Sequence, residues 1–167
     1  MKAELIRKLK QLDIIHREPV DLKHGDKSPY YVDIKKAYGY PEILDYICDC
    51  IWKEMDKSTT CIAAAGYGGL PVATILSVRY KLKLTLVRDK PKKHGKGGWI
   101  DGYIPNKKDK VSIFDDVLTT GGSLEDVIKA IEEETEAKIL GCYVVVKRGE
   151  WKSDTNLSHL LVPEDLL

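Results

Sequence analysis

Leu5, Ile6 and Leu9 recur at helical spacing in a charged background, which predicts a helix over residues 3–12. The same charged, amphipathic start is unlike a signal peptide. A polar stretch follows, VDLKHGDKSPYYVDIKKAYGYP, whose Gly25, Pro29 and alternating Tyr31 and Asp33 predict a loop running into short extended strands. Pro41 opens a second helix, with Ile43, Leu44, Ile47 and Ile51 facing inward. Beyond it the apolar residues gather into continuous runs. CIAAA reads as a buried strand, GYGG as a turn, and the next segment as a helix starting at or near Pro71. LKLTLVRD is another strand. Residues 90–110 are rich in lysine and glycine and predict a long flexible loop. VSIFDD is the next strand, TTGGS a turn, and residues 124–134 a helix. ILGCYVVVKR is the last strong strand, and the tail is expected to cover a sheet edge.

Strands alternating with helices imply an α/β fold with a mostly parallel sheet and right-handed crossovers. Ligands of such sheets bind beyond the carboxyl ends of the strands. Four polar segments fall at those ends: GYGG, RDKPKKHGKGG, DDVLTTGGS and KRGE. With 167 residues, 43% hydrophobic and 32% charged, the chain fits one globular domain, and no internal repeat is evident. Lys and Arg number 27 against 26 Asp and Glu, so a global field for gripping nucleic acid or an anionic membrane is lacking. Cys48, Cys50, Cys61 and Cys142 form no CxxC pair and read as small buried residues of a reducing compartment. No apolar run approaches the ~20 residues of a membrane span. A soluble, cytoplasmic protein is expected.

The chemistry gathers first in Val111 to Ser123, VSIFDDVLTTGGS. A glycine turn opening a helix offers backbone N–H groups and a helix dipole to a phosphate. Thr119, Thr120 and Ser123 add hydroxyls. Asp115 and Asp116 would repel that phosphate and suit a sugar diol, a metal ion or a developing cation instead. Phosphate turn and acids together describe a sugar phosphate. No Gly-Lys-Ser/Thr follows the glycines and no GxGxxG is formed, which disfavours a nucleotide-hydrolysing loop and a dinucleotide fold. An ordinary strand end with a helix cap is the plainer reading, and the pairing of both features weighs against it.

Lys90, Lys92, Lys93, His94 and Lys96 stand in a glycine-rich stretch. Such runs are usually only solvated, but in a nearly neutral chain they make a local polyanion site. Closing over a pyrophosphate, the loop would exclude water and stabilise leaving-group charge. Only Trp99 is close enough to stack on a base, so nucleic acid is the weaker alternative. KHGDKSPYY offers Lys23, Lys27 and Ser28 to an anion and Tyr30 and Tyr31 as a flat wall. Taken alone, it is a surface loop.

Together these segments resemble the type I phosphoribosyltransferases. VSIFDDVLTTGGS is similar to their signature for phosphoribosyl pyrophosphate (PRPP). LKHGDKSPYYVD and RDKPKKHGKGG resemble the orotate-specific members, and the likeness spans about Leu5 to Arg148. It implies a hood over residues 1–40, a core over 41–167 with a mobile loop at about 89–110, and transfer of phosphoribose from PRPP to orotate in pyrimidine synthesis. Mg²⁺ is implied as cofactor, bound mainly through PRPP. The resemblance assigns the ribose diol to Asp115 and Asp116. It assigns the 5′-phosphate to the turn from Val117 and Leu118 through Thr119, Thr120, Gly121, Gly122 and Ser123. Arg88, Lys92 and His94 would meet the pyrophosphate, with Tyr67 and Gly68 in a second turn beside it. Lys23, Tyr31, Val32, Thr119 and Arg148 would surround orotate. A homodimer is implied, the loop serving the neighbouring subunit.

Two positions depart from the family pattern. Many members have a lysine where this chain has Gly68, and Arg-Lys where it has Arg88-Asp89. The former leaves backbone N–H groups to bind pyrophosphate; the latter weakens the positive field. The early chain end is expected to reduce the C-terminal cover found in longer members. Two rivals stand beside the orotate enzyme: transfer to another base such as a purine, and a PRPP-sensing regulator without catalysis. Lys23 and Arg148 suit an anionic base, which a purine is not. Lys92 and His94 are groups a regulator has no need to keep. The single short N-terminal helix is too little for a helix-turn-helix.

Overall fold

The computed structural model describes residues 1–17, 20–21, 27–28, 30–93 and 98–167. The N-terminal part comprises α1 (Lys2–Lys10), the two-residue strands β1 (Ile15–His16), β2 (Val20–Asp21), β3 (Lys27–Ser28) and β4 (Tyr31–Val32), and the short helix α2 (Ile34–Tyr38). The core follows as α3 (Pro41–Glu54), β5 (Cys61–Ala65), α4 (Gly66–Tyr80), β6 (Lys83–Val87), β7 (Ile100–Gly102), β8 (Lys110–Leu118), α5 (Gly122–Glu134), β9 (Lys138–Lys147) and β10 (Leu157–Leu161).

Six strands form the central sheet in the order β10-β9-β8-β5-β6-β7, and only β7 runs antiparallel to its neighbour. Both faces are covered, which explains why its strands read as continuous apolar runs rather than alternating ones. Ile62, Ala64, Phe114 and Val145 belong to the apolar cluster shared with α1, α3 and α4. Cys61, Ala63, Ile113 and Val144 belong to the cluster shared with α5 and Ile100. Strand alternation thus splits one sheet between two cores. All four cysteines are free and buried, and burial pushes the Cys48 and Cys142 thiols up to about 12. They act as packing residues rather than nucleophiles. No described helix is long and apolar enough to cross a membrane.

Three expectations need correction. α4 begins at Gly66, not near Pro71, so GYGG is the helix's first turn. Pro71 therefore lies inside the helix, where it removes one intrahelical N–H donor. The polar stretch 90–110 is not one loop: it contains β7, paired with β6 through Val87↔Ile100 and Thr85↔Gly102. Its C-terminal part is fixed by Asp109, which accepts from the Tyr103 hydroxyl at 2.7 Å, the Asn106 N–H at 3.0 Å and Thr60 at 3.0 Å. These donors hold the buried Asp109 carboxyl down at about 2, although burial itself pulls the other way. The tail does more than cover an edge, for β10 becomes the edge strand, parallel to β9.

β5 and β8 are neighbours at the centre, yet the chain leaves β5 toward β6 and leaves β8 toward β9. The connections diverge there, and a crevice opens beyond their carboxyl ends.

Candidate active site

That crevice holds about 500 Å³, and Lys35, Gly68, Arg88, Asp115, Asp116 and Ser123 are among its lining. β8 supplies the acids. Its pairing with β9 continues through Asp115↔Val144, Val117↔Val146 and Leu118↔Lys147, so the acids lie inside the strand and not at its end. The Asp115 carboxylate accepts the Asp116 N–H at 2.9 Å, and Asp116 accepts the Val117 N–H at 2.9 Å. These local bonds turn both carboxyl groups toward the first turn of α4. A Cβ placed on Gly68 would come within 2.8 Å of Asp115 Oδ1 and nearer still to Asp116 Oδ1. Only glycine leaves room for the pair.

The electrostatics follow from that crowding. Asp116 is buried, at 6% exposure. Burial first, and then the neighbouring Asp116 charge, push the Asp115 carboxyl up to about 7. Lys35 reaches in from α2 and places Nζ 2.7 Å from Asp116 Oδ2. Burial pulls on the Lys35 ammonium in the opposite direction, but the bond and charge of Asp116 leave it raised. Tyr38 donates its hydroxyl to the Gly68 carbonyl at 2.9 Å, locking α2 to α4. Its phenol is pushed well above the usual value, by burial above all.

The glycine turn that opens α5 lies next along the chain. Thr119 and Thr120 lead into Gly121, whose φ of +89° suits glycine, and α5 starts at Gly122. The end of β9 is tied to this turn: the Arg148 and Gly149 N–H groups donate to the Leu118 carbonyl at 2.9 and 3.1 Å. The Arg148 guanidinium then lies 5.2 Å from the centre of the Tyr30 ring. Past the end of β6, Arg88 and Lys92 both engage Asp101 of β7, at 2.5 and 3.2 Å. The Trp99 carbonyl accepts the Arg88 N–H at 2.8 Å, and the Gly98 carbonyl accepts that of Lys92 at 2.9 Å.

An acid pair, the glycine start of α4, Lys35 and Arg88 thus share one crevice, and residues 40–156 match the phosphoribosyl transferase domain family. The chain belongs to the phosphoribosyltransferase family. It is 39% identical to the orotate phosphoribosyltransferase of Methanocaldococcus jannaschii, over 89% of this chain and 84% of that protein. Against the orotate phosphoribosyltransferase of Methanothermobacter thermautotrophicus it is 35% identical, over 92% and 84%. The fold is shared with the solved orotate phosphoribosyltransferase of Aeropyrum pernix, at a TM-score of 0.83 and 24% identity over 98% and 96% of the two chains.

Of the residues singled out in this phosphoribosyltransferase sequence, Tyr67, Gly68, Arg88, Asp115, Asp116, Val117 and Ser123 line one crevice. Thr119, Thr120, Gly121 and Gly122 form the adjoining turn. Leu118 is 1% exposed and turns its side chain into the core, so only its backbone borders the site. Val32 is buried too, and Tyr31 pairs with His16 across β4 and β1. Lys23 and His94 lie outside the described residues. Sequence reasoning missed Lys35, Tyr38 and Asp126. The available signal for the first two was Asp33, which caps α2 by accepting the Lys36 N–H at 3.3 Å. Among the described residues, no group of three or more His, Cys, Asp or Glu is placed to hold a metal ion.

Proposed function

We infer that the protein is an orotate phosphoribosyltransferase, joining orotate to the phosphoribosyl group of PRPP and releasing pyrophosphate in pyrimidine synthesis. One observation carries the choice of base. A cation, Arg148, is fixed at the end of β9 by backbone bonds to the phosphate turn and stands over the ring of Tyr30. In this reading the guanidinium meets the carboxylate that orotate, unlike a purine, carries. The relatives named above support the same choice.

In this reading Asp115 and Asp116 accept hydrogen bonds from the ribose 2′ and 3′ hydroxyls. Their charge also lies near the positive charge that develops as the bond from the anomeric carbon to pyrophosphate breaks. The turn 119–123 holds the 5′-phosphate through N–H groups and hydroxyls. Arg88, Lys92 and His94 meet the departing pyrophosphate, and Arg148, Lys23 and the backbone at Tyr31 and Val32 orient orotate. A new bond then forms from the orotate ring nitrogen to the anomeric carbon. Mg²⁺ would be bound mainly through PRPP and, when bound, would supply Lewis-acid neutralisation of the departing charge. Working as a cytoplasmic homodimer, each subunit lends its lysine loop to the other's site. The unit is one domain, with residues 1–40 as the hood over the core 41–167.

The test is a spectrophotometric assay of orotate consumption with PRPP and Mg²⁺. Turnover is expected with orotate and absent with purines. A folded protein that consumes a purine, or nothing, would overturn the reading.

A further inference from the structure

The turn at the start of α4 carries no cation, and the geometry explains why. Any side chain at Gly68 would drive its Cβ into the carboxylates of Asp115 and Asp116. The acid pair nevertheless has a cation at hand, because Lys35 Nζ sits 2.7 Å from Asp116 Oδ2. Lys35 is 81 residues away in the chain and is delivered by a helix held at several points. Asp33 caps α2, Ile34 and Ala37 are fully buried, and the hydroxyl of Tyr38 bonds the Gly68 carbonyl. With these neighbours committed to the interior, Lys35 is left to point into the crevice, where its side chain is 45% exposed. Arg88, another cation in the lining, is already paired with Asp101.

We propose that Lys35 is a positioning residue for phosphoribosyl transfer: it holds Asp116 in place and balances the charge of the acid pair, a task the glycine turn cannot perform. The proposal rests on the reading of the crevice as a PRPP site. Among the described residues, the other charged or titratable groups around the pair are few. Tyr38 shares α2 with Lys35, Tyr31 lies on β4, and the thiol of Cys142 lies on β9. Arg88 and Asp89 follow β6, and Asp126 stands on α5. Of these, Lys35 alone bonds Asp116 directly.

The test compares Lys35→Met, which keeps length and loses charge, with Lys35→Arg, which restores charge. Carboxyl carbons of the free protein are followed by NMR through a pH titration. In Lys35→Met the acid-pair midpoint is expected to rise by about one pH unit, since a cation at this distance favours the charged form. PRPP affinity at neutral pH should fall about 10-fold, and the acidic limb of kcat/KM should move upward with the midpoint. Lys35→Arg should return all three toward wild type. An unmoved midpoint in Lys35→Met, or no rescue by arginine, overturns the proposal even if orotate is turned over normally. Conversely, a shifted midpoint in a protein that never consumes orotate overturns the orotate reading and leaves Lys35 in its place.

Discussion

Replacing Asp115 by Asn should stabilise the fold, by an amount that grows as pH rises from about 4 toward 7 and is complete above it. Asp115 lies beside a buried Asp116, and its carboxyl is pushed from the usual 3.8 up to about 7. The folded protein therefore keeps a proton that the unfolded chain gives up near pH 4. Stability contributed by this group is complete below pH 4 and falls as pH rises toward 7. At about 1.4 kcal/mol per pH unit, the full span is worth about 4 kcal/mol. Asp115 is only half-buried where it lines the crevice, so partial hydration of its charged form reduces both the burial cost and the repulsion, and roughly 1–2 kcal/mol is the expected gain. Asn keeps an oxygen that can accept the Asp116 N–H, as Asp115 does at 2.9 Å, so the strand geometry should survive. Urea denaturation of both proteins from pH 4 to pH 8.5 is the assay. The two curves should nearly coincide at the acid end and separate as pH rises, while PRPP binding weakens throughout. A stability difference independent of pH, or a variant less stable at pH 8, would refute the electrostatic account of the pair. A gain in stability with a loss of binding is the usual signature of a site built against its own repulsion.

Two other predictions concern the walls of the crevice. Gly68→Ala should cost about 1–3 kcal/mol through overpacking and weaken PRPP binding, because the new Cβ has only the two carboxylates to displace. Calorimetric PRPP affinity equal to wild type would show that the acids can move freely. Lys92→Ala should cut turnover about 100-fold or more while changing stability by less than about 1 kcal/mol, since the ion pair it loses with Asp101 is largely exposed. A near-normal turnover number would place the leaving-group cation elsewhere.

Much of this protein was readable along the chain. Apolar runs in CIAAA, VSIF and CYVVV could be buried only between two layers, and that fixes strands covered on both faces. The acids and the TTGGS turn are adjacent in sequence, so their joint assignment to a sugar phosphate needed no tertiary information. Local patterns were less reliable where packing overrides them. GYGG looks like a turn by composition, yet it is helical because its glycines let α4 start against β8, with a Cβ on Gly69 falling 2.7 Å from the Phe114 carbonyl. β7 is three residues of an otherwise polar stretch, and it exists because β6 offers it an edge. Contacts between distant segments were beyond sequence altogether. No spacing rule joins Lys35 to Asp116, Tyr38 to Gly68, or Arg148 to Tyr30. Sequence determined which groups are offered together to a sugar phosphate in the proposed reading, because neighbours along one strand and turn stay neighbours in space. Tertiary structure alone decided how the acid pair is charged and which cation answers it, because charge state depends on burial and on partners that folding brings from elsewhere in the chain.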